Sequence, residues 1–86
     1  MVRGNVVVTD PMGLHLRPAG ILCDEALRFQ SSVKFESGHS SGNAKSMLSV
    51  LGAQIRAGEE ITFICDGPDE KEALEAIIDL MTHRLC

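Results

Sequence analysis

The sequence predicts an α+β domain in which helices cover one face of a sheet. Three observations carry that prediction. Short β-rich runs recur at residues 2–9, 33–36 and 60–65. Two longer stretches carry apolar residues at helical spacing. The elements then come in the order strand, helix, strand, strand, short helix, strand, helix, which suits helices packed on one side of a sheet. The chain has 86 residues and no repeat, linker or low-complexity tract, so it reads as one domain, 1–86.

Val6, Val7 and Val8 form a β-branched run, which predicts a first strand within Val2 to Thr9. Asp10-Pro11-Met12-Gly13 is turn chemistry. Ala19, Leu22, Cys23, Ala26 and Phe29 then recur at intervals of three and four, which predicts one apolar face of a helix from about Leu16 to Phe29. Gly20 weakens that helix by about 1 kcal/mol and leaves its surface bare near the start.

Val33 and Phe35 alternate with Lys34 and Glu36, as on a half-buried strand. The Ser/Gly-rich stretch 37–42 predicts a hairpin to a short strand near Asn43. Met47, Leu48, Val50 and Leu51 form a compact apolar cluster, with Ser46 placed to cap a two-turn helix and Gly52 to end it. Glu60 to Cys65 is the last strand, stopped by Asp66-Gly67-Pro68. Asp69 followed by Glu72 predicts a capping box. Leu74, Ile77, Ile78, Met81 and Leu85 then share one face of a C-terminal helix. Glu70, Glu72 and Glu75 read as its solvated side, and His83 and Arg84 suit the negative end of its dipole.

Composition narrows the function. Hydrophobic residues make up 44% of the chain, enough for the thin core of a domain this small. Trp and Tyr are absent, so that core must be mainly aliphatic. Twelve acidic residues against eight basic ones leave a formal charge of −4, which lacks the footprint of a nucleic-acid binder. Neither a signal segment nor a membrane span is evident, so a soluble, cytoplasmic protein is expected. Cys23, Cys65 and Cys86 match no zinc or redox spacing, and Cys23 and Cys65 are expected to be small buried hydrophobes. His39 and His83 read as surface residues.

The stretch that carries chemistry is Gly13-Leu14-His15-Leu16-Arg17-Pro18-Ala19. His15 falls where the turn ends and the helix begins, and Pro18 suits a first helical turn. The amides near Leu16 and Arg17 should therefore point back toward His15. A helix N-terminus offers donors and partial positive charge to an anion, and that charge works against a protonated ring. A neutral imidazole can attack phosphorus. Arg17 can reach the phosphoryl oxygens with a planar, permanently charged fork. Phosphoryl transfer depends on positioning and charge stabilisation, and this set meets both needs without a metal or other cofactor.

Gly13, Leu14, His15, Arg17, Pro18 and Ala19 together resemble the active-site motif of the HPr family, histidine-containing phosphocarriers of the bacterial phosphoenolpyruvate-dependent sugar phosphotransferase system. The resemblance extends over the whole chain in length, element order and the Lys45-Ser46 segment. It implies an open-faced β-sandwich, with four antiparallel strands in order 1-4-2-3 covered on one face by three helices. It also implies a carrier rather than an enzyme, with His15 taking a phosphoryl group on Nδ1 from enzyme I and passing it to sugar-specific IIA proteins. Leu16 and Arg17 would bind the phosphate. Met12 and Leu16 depart from the pattern, since smaller residues are common at both positions.

The same resemblance places Leu16, Gly20, Met47, Leu48 and Leu51 in a partner-docking patch near His15, although Met47 and Leu51 would serve equally as core. Ser46 corresponds to a regulatory phosphorylation site in many Gram-positive members, modified by HPr kinase/phosphorylase and read by a catabolite-control transcription factor. It also makes sense as a plain N-cap. Ser49 stands where a glycine is usual. The alternative function is thus a regulatory HPr-like protein acting through Ser46 in carbon catabolite repression. No nucleic-acid or membrane partner is expected, and the chain is expected to be monomeric.

Overall fold

The computed structural model describes residues 1–84, so the expectations for Leu85 and Cys86 lie outside the described residues. β1 (Val2–Val7), α1 (Leu16–Leu27), β2 (Ser32–Glu36), β3 (Ser41–Asn43), α2 (Met47–Gly52), β4 (Glu60–Asp66) and α3 (Glu70–Asp79) follow one another, and the chain then widens into a π turn at Leu80–Arg84. The strands form one antiparallel sheet in the order β1-β4-β2-β3. The open-faced sandwich with its 1-4-2-3 order is therefore what the chain adopts.

Alternation along the strands sends one set of side chains into the core. Val33, Phe35, Ile61, Phe63 and Cys65 are essentially inaccessible to solvent, while Ser32, Lys34, Glu36 and Glu60 are exposed. Against that face pack Leu22 and Ala26 of α1, Val50 of α2, and Ala73 and Ile77 of α3. The register lines up Gly4, Phe63, Phe35 and Gly42 in one row across all four strands. The two rings fill the middle, and glycines stand at both ends. A Cβ on Gly42 would lie 2.8 Å from Phe35 Cζ, so the missing side chain makes room for the ring. At the other end, a Cβ on Gly4 would lie 3.4 Å from Ile78 Cδ1 of α3.

The helix faces agree with the periodicity. Ala19, Leu22, Cys23 and Ala26 are all buried. The helix itself stops at Leu27, and Phe29 packs against the edge of the core from the following turn. Cys23 and Cys65 are free, buried thiols. Cys23 Sγ lies 3.2 Å from Lys45 O, to which it donates, and burial pushes the Cys65 thiol above its ordinary pKa.

Two helix ends differ from expectation. Asp69 does begin α3, but its side chain makes no cap bond, so the capping box with Glu72 does not form. Its carboxylate instead accepts from Gln30 N at 2.9 Å, Ser31 N at 2.8 Å and Ser31 Oγ at 2.5 Å. Those bonds tie the start of α3 to the entry of β2. The Ser31 hydroxyl, then the Gln30 amide, hold the Asp69 carboxyl down to a pKa of about 2. At α2, Gly52 remains helical and Ala53 is the cap; the left-handed turn falls on Gln54, with φ +52°. The C-terminal helix also changes pitch. Thr82 Oγ1 donates to Ile78 O at 2.8 Å and competes for that carbonyl where the π turn replaces regular α-helix. Leu80 and Met81 in the π turn still face the core.

Candidate functional site at the mouth of the first helix

Three local constraints place His15. Asp10 starts a tight turn: Gly13 N donates to Asp10 O at 2.9 Å, and Met12 N donates to Asp10 Oδ1 at 2.9 Å. Gly13 takes φ +71°, a conformation that disfavours any side chain. It also lies against the backbone of Ile55 and Arg56, since a Cβ there would come within 2.9 Å of Arg56 Cα. Leu14 is then buried in the core, and its amide donates to Ile55 O at 3.0 Å. On the other side of His15, Pro18 and Ala19 are buried. The histidine is held between two anchors.

His15 is the N-cap residue of α1, with an extended backbone (φ −87°, ψ −170°). Its carbonyl accepts the first helical bond, from Ala19 N at 3.0 Å. Its ring makes no cap bond and is left for other use, with the side chain 34% exposed. The amides of Leu16 and Arg17 open the helix, where no carbonyl lies a turn behind them inside it. Pro18 has no N–H to satisfy. Arg17 is exposed and has no ion-pair partner among the described residues. The first turn of α1, which follows His15 directly, therefore carries two amides, the partial positive charge of the helix start and the exposed Arg17.

Sequence reasoning read Asp10 as a turn residue only. In the fold its second carboxylate oxygen, Oδ2, lies 3.6 Å from His15 Nε2. The signal was present as an Asp five residues before the histidine, but only the doubling-back at Gly13 brings the two together. His39 also has more company than expected. Its Nε2 lies 2.8 Å from Glu59 Oε1, and its Nδ1 lies 3.0 Å from Ser40 Oγ. Glu59 Oε2 accepts from Arg56 N at 2.7 Å, and that bond, followed by His39, holds the Glu59 carboxyl below its usual pKa. This arrangement braces the loop that carries Ile55. The cleft beside it, of about 230 Å³, is lined by His39, Gln54, Arg56 and Glu59 and does not include His15.

Leu16 is 68% exposed, Met12 73% and, on α2, Leu48 84%. Gly20 faces α2: a Cβ there would lie 3.9 Å from Met47 Cε. Met47 and Leu51 are half-buried and pack against the core, so each leaves only part of its surface open. Ser46 caps α2 and its Oγ accepts from Ser49 N at 3.3 Å. Lys45 Nζ turns away to donate to Phe29 O at 2.7 Å. Ser49 Oγ accepts from Asn43 N at 3.1 Å, which pins the edge strand β3 to α2. Among the described residues no group of three or more His, Cys, Asp or Glu is arranged to hold a metal ion. No helix among them is long and apolar enough to cross a membrane.

Comparison with known proteins agrees with this fold. The family model described as "PTS HPr component phosphorylation site" matches residues 2–83. A phosphocarrier protein HPr of Mycoplasma capricolum is 38% identical over 81 residues, covering 94% of this chain and 91% of the relative. One from Mycoplasma genitalium is 42% identical over 78 residues, covering 90% and 89%. Among solved structures, HPr of Bacillus anthracis superposes with a TM-score of 0.88 at 34% identity, covering 94% of this chain and 96% of the other. Crh, a catabolite-repression protein of Bacillus subtilis crystallised as a swapped dimer, superposes at 0.77 with 36% identity, covering 100% and 99%. The chain belongs to the HPr family of phosphocarrier proteins of the phosphotransferase system.

Proposed function

We propose that the chain accepts a phosphoryl group on Nδ1 of His15 from phosphorylated enzyme I and passes it to a histidine of sugar-specific IIA proteins. The observation that carries this reading is the N-cap position of His15: its ring makes no cap bond, it is accessible, and it shares the helix mouth with two backbone amides and Arg17. The Leu16 and Arg17 amides receive the phosphoryl oxygens, and the Arg17 guanidinium clamps them. Leu16, Gly20, Met47, Leu48 and Leu51 form the docking face, with Met12 at its margin. The protein works in the cytoplasm as a carrier, phosphorylated and discharged by its partners, with no turnover of its own.

Incubation with enzyme I and phosphoenolpyruvate should add one acid-labile phosphate per chain, and His15→Ala should abolish it. Labelling that persists in the mutant would defeat the assignment.

Crh, named for catabolite repression, shares the fold, and the alternative is a second use of the scaffold, regulation through Ser46. A phosphate there adds about −1.5 to −2 charge beside the docking face. HPr kinase/phosphorylase with ATP should then modify Ser46, and the product should dock enzyme I poorly and bind a catabolite-control transcription factor. With His15 and Arg17 both in place, phosphoryl transfer is the better-supported reading.

A further inference from the structure

We infer that Asp10 is a positioning residue for His15: its carboxylate holds the ring proton on Nε2 and leaves the Nδ1 lone pair free to take the phosphoryl group. The inference deepens the carrier reading and rests on it. Asp10 is not free to turn. Its Oδ1 accepts from Met12 N at 2.9 Å, which aims Oδ2 at the ring, 3.6 Å from Nε2. The Asp10 side chain is 19% exposed and that of His15 34%, so water screens the pair only in part. An ionised carboxylate can only accept, so it favours the tautomer with hydrogen on the nitrogen that faces it. Apo separations of this size commonly shorten when the reacting complex forms.

The consequence for the chemistry balances without a further reagent. The Nδ1 lone pair forms the N–P bond while the donor's bond to phosphorus breaks, its electron pair leaving with the donor. The product ring bears phosphorus on Nδ1 and hydrogen on Nε2, and is cationic. Asp10 Oδ2 faces that charge, so no proton has to depart. On hand-over the N–P bond breaks, its pair returns to Nδ1, and the starting tautomer is restored.

The carboxamide is the discriminating substitution. In Asp10→Asn the amide oxygen can keep the bond from Met12 N, which turns the NH₂ group toward Nε2. A donor there calls for the lone pair on Nε2 and drives the proton to Nδ1, blocking the nucleophile. Asp10→Ala removes the carboxylate and the turn bond but imposes no wrong tautomer. Structural loss alone therefore ranks Ala below Asn, whereas tautomer control ranks Asn below Ala.

The test uses the full chain, ring-¹⁵N NMR with the imidazole deprotonated, and phosphorylation by the small molecule phosphoramidate. The wild type should carry hydrogen on Nε2. Asp10→Asn should move it to Nδ1 and slow uptake at least about tenfold, with Asp10→Ala closer to the wild type. A wild-type ring with its hydrogen on Nδ1 overturns the inference whatever the variants do. So does an Asp10→Asn protein that matches or outpaces Asp10→Ala. If the wild type takes no phosphate on His15 from phosphoramidate or enzyme I, the carrier reading fails and the inference falls with it. If wild-type uptake is intact and only the Asn/Ala ranking is absent, the role of Asp10 alone is lost.

Discussion

Gly13→Ala is expected to damage both stability and phosphoryl uptake, and the two losses have separate sources. Gly13 sits at φ +71°, where an added side chain costs about 1–2 kcal/mol. The new Cβ would also press on the Ile55 carbonyl and come within 2.9 Å of Arg56 Cα, a contact with backbone that no side-chain rotation relieves. Overpacking of that kind costs about 1–3 kcal/mol, so the total is about 2–5 kcal/mol. The natural relaxation is retreat of the turn from Ile55. That motion stretches the 3.0 Å bond from Leu14 N to Ile55 O and displaces the neighbouring histidine. A displacement of about 1 Å at a reacting group can lower the rate roughly 10²-fold. Gly52→Ala is the control. A Cβ there meets nothing within 4 Å, and alanine suits a helix, so the change should stabilise by up to about 1 kcal/mol. Urea denaturation reads the first quantity, and phosphorylation by enzyme I the second. A Gly13→Ala protein within about 0.5 kcal/mol of the wild type and equally fast in uptake would refute the reasoning.

Three other outcomes are expected. The folded pKa of Asp69, about 2, lies below its ordinary value of 3.8; its stabilisation is complete above the unfolded pKa and is lost as pH falls from about 4 through about 2. Ser31→Ala should therefore destabilise most near neutrality, and its gap from the wild type in urea midpoint should narrow toward pH 2; a gap independent of pH would contradict this. Arg17→Ala should reduce enzyme I-driven uptake roughly 10–100-fold, the loss of one charge-assisted hydrogen-bonding group, with stability unchanged within about 0.5 kcal/mol; lysine should restore it only in part. Leu48→Asp, at a largely exposed apolar position, should raise the KM for enzyme I without slowing phosphorylation by phosphoramidate, and parallel losses in both assays would argue against a docking role.

Periodicity made most of the fold legible. The spacing of Ala19, Leu22, Cys23 and Ala26 is local information, and all four are buried. The run Ile61–Cys65 and the alternation at Val33 and Phe35 likewise need no tertiary context to read as strands. What could not be read was the use of polar groups over long range. Asp69 has the sequence of a capping residue, yet its carboxylate serves Gln30 and Ser31, 38 or more positions away. The brace between His39 and Glu59 spans 20 residues and carries no motif. Gly52 looked like the natural end of α2, but the left-handed position fell two residues later, on Gln54. The placement of His15 and Arg17 at a helix start was legible because proline and turn residues mark that start. Asp10 was not, because its role depends on the direction of one carboxylate oxygen after the chain has doubled back.

The accessibility of the His15 ring carries a cost that partner speed must meet. About a third of the side chain stays open to solvent. On the proposed reading, a phosphorus–nitrogen bond on His15 would be partly open to solvent. Water and the next protein then compete for the same atom, and the share delivered depends on how soon the next protein arrives. A lidded site would spare that waste but would need time to open at each encounter; an uncovered one exchanges storage for rapid relay.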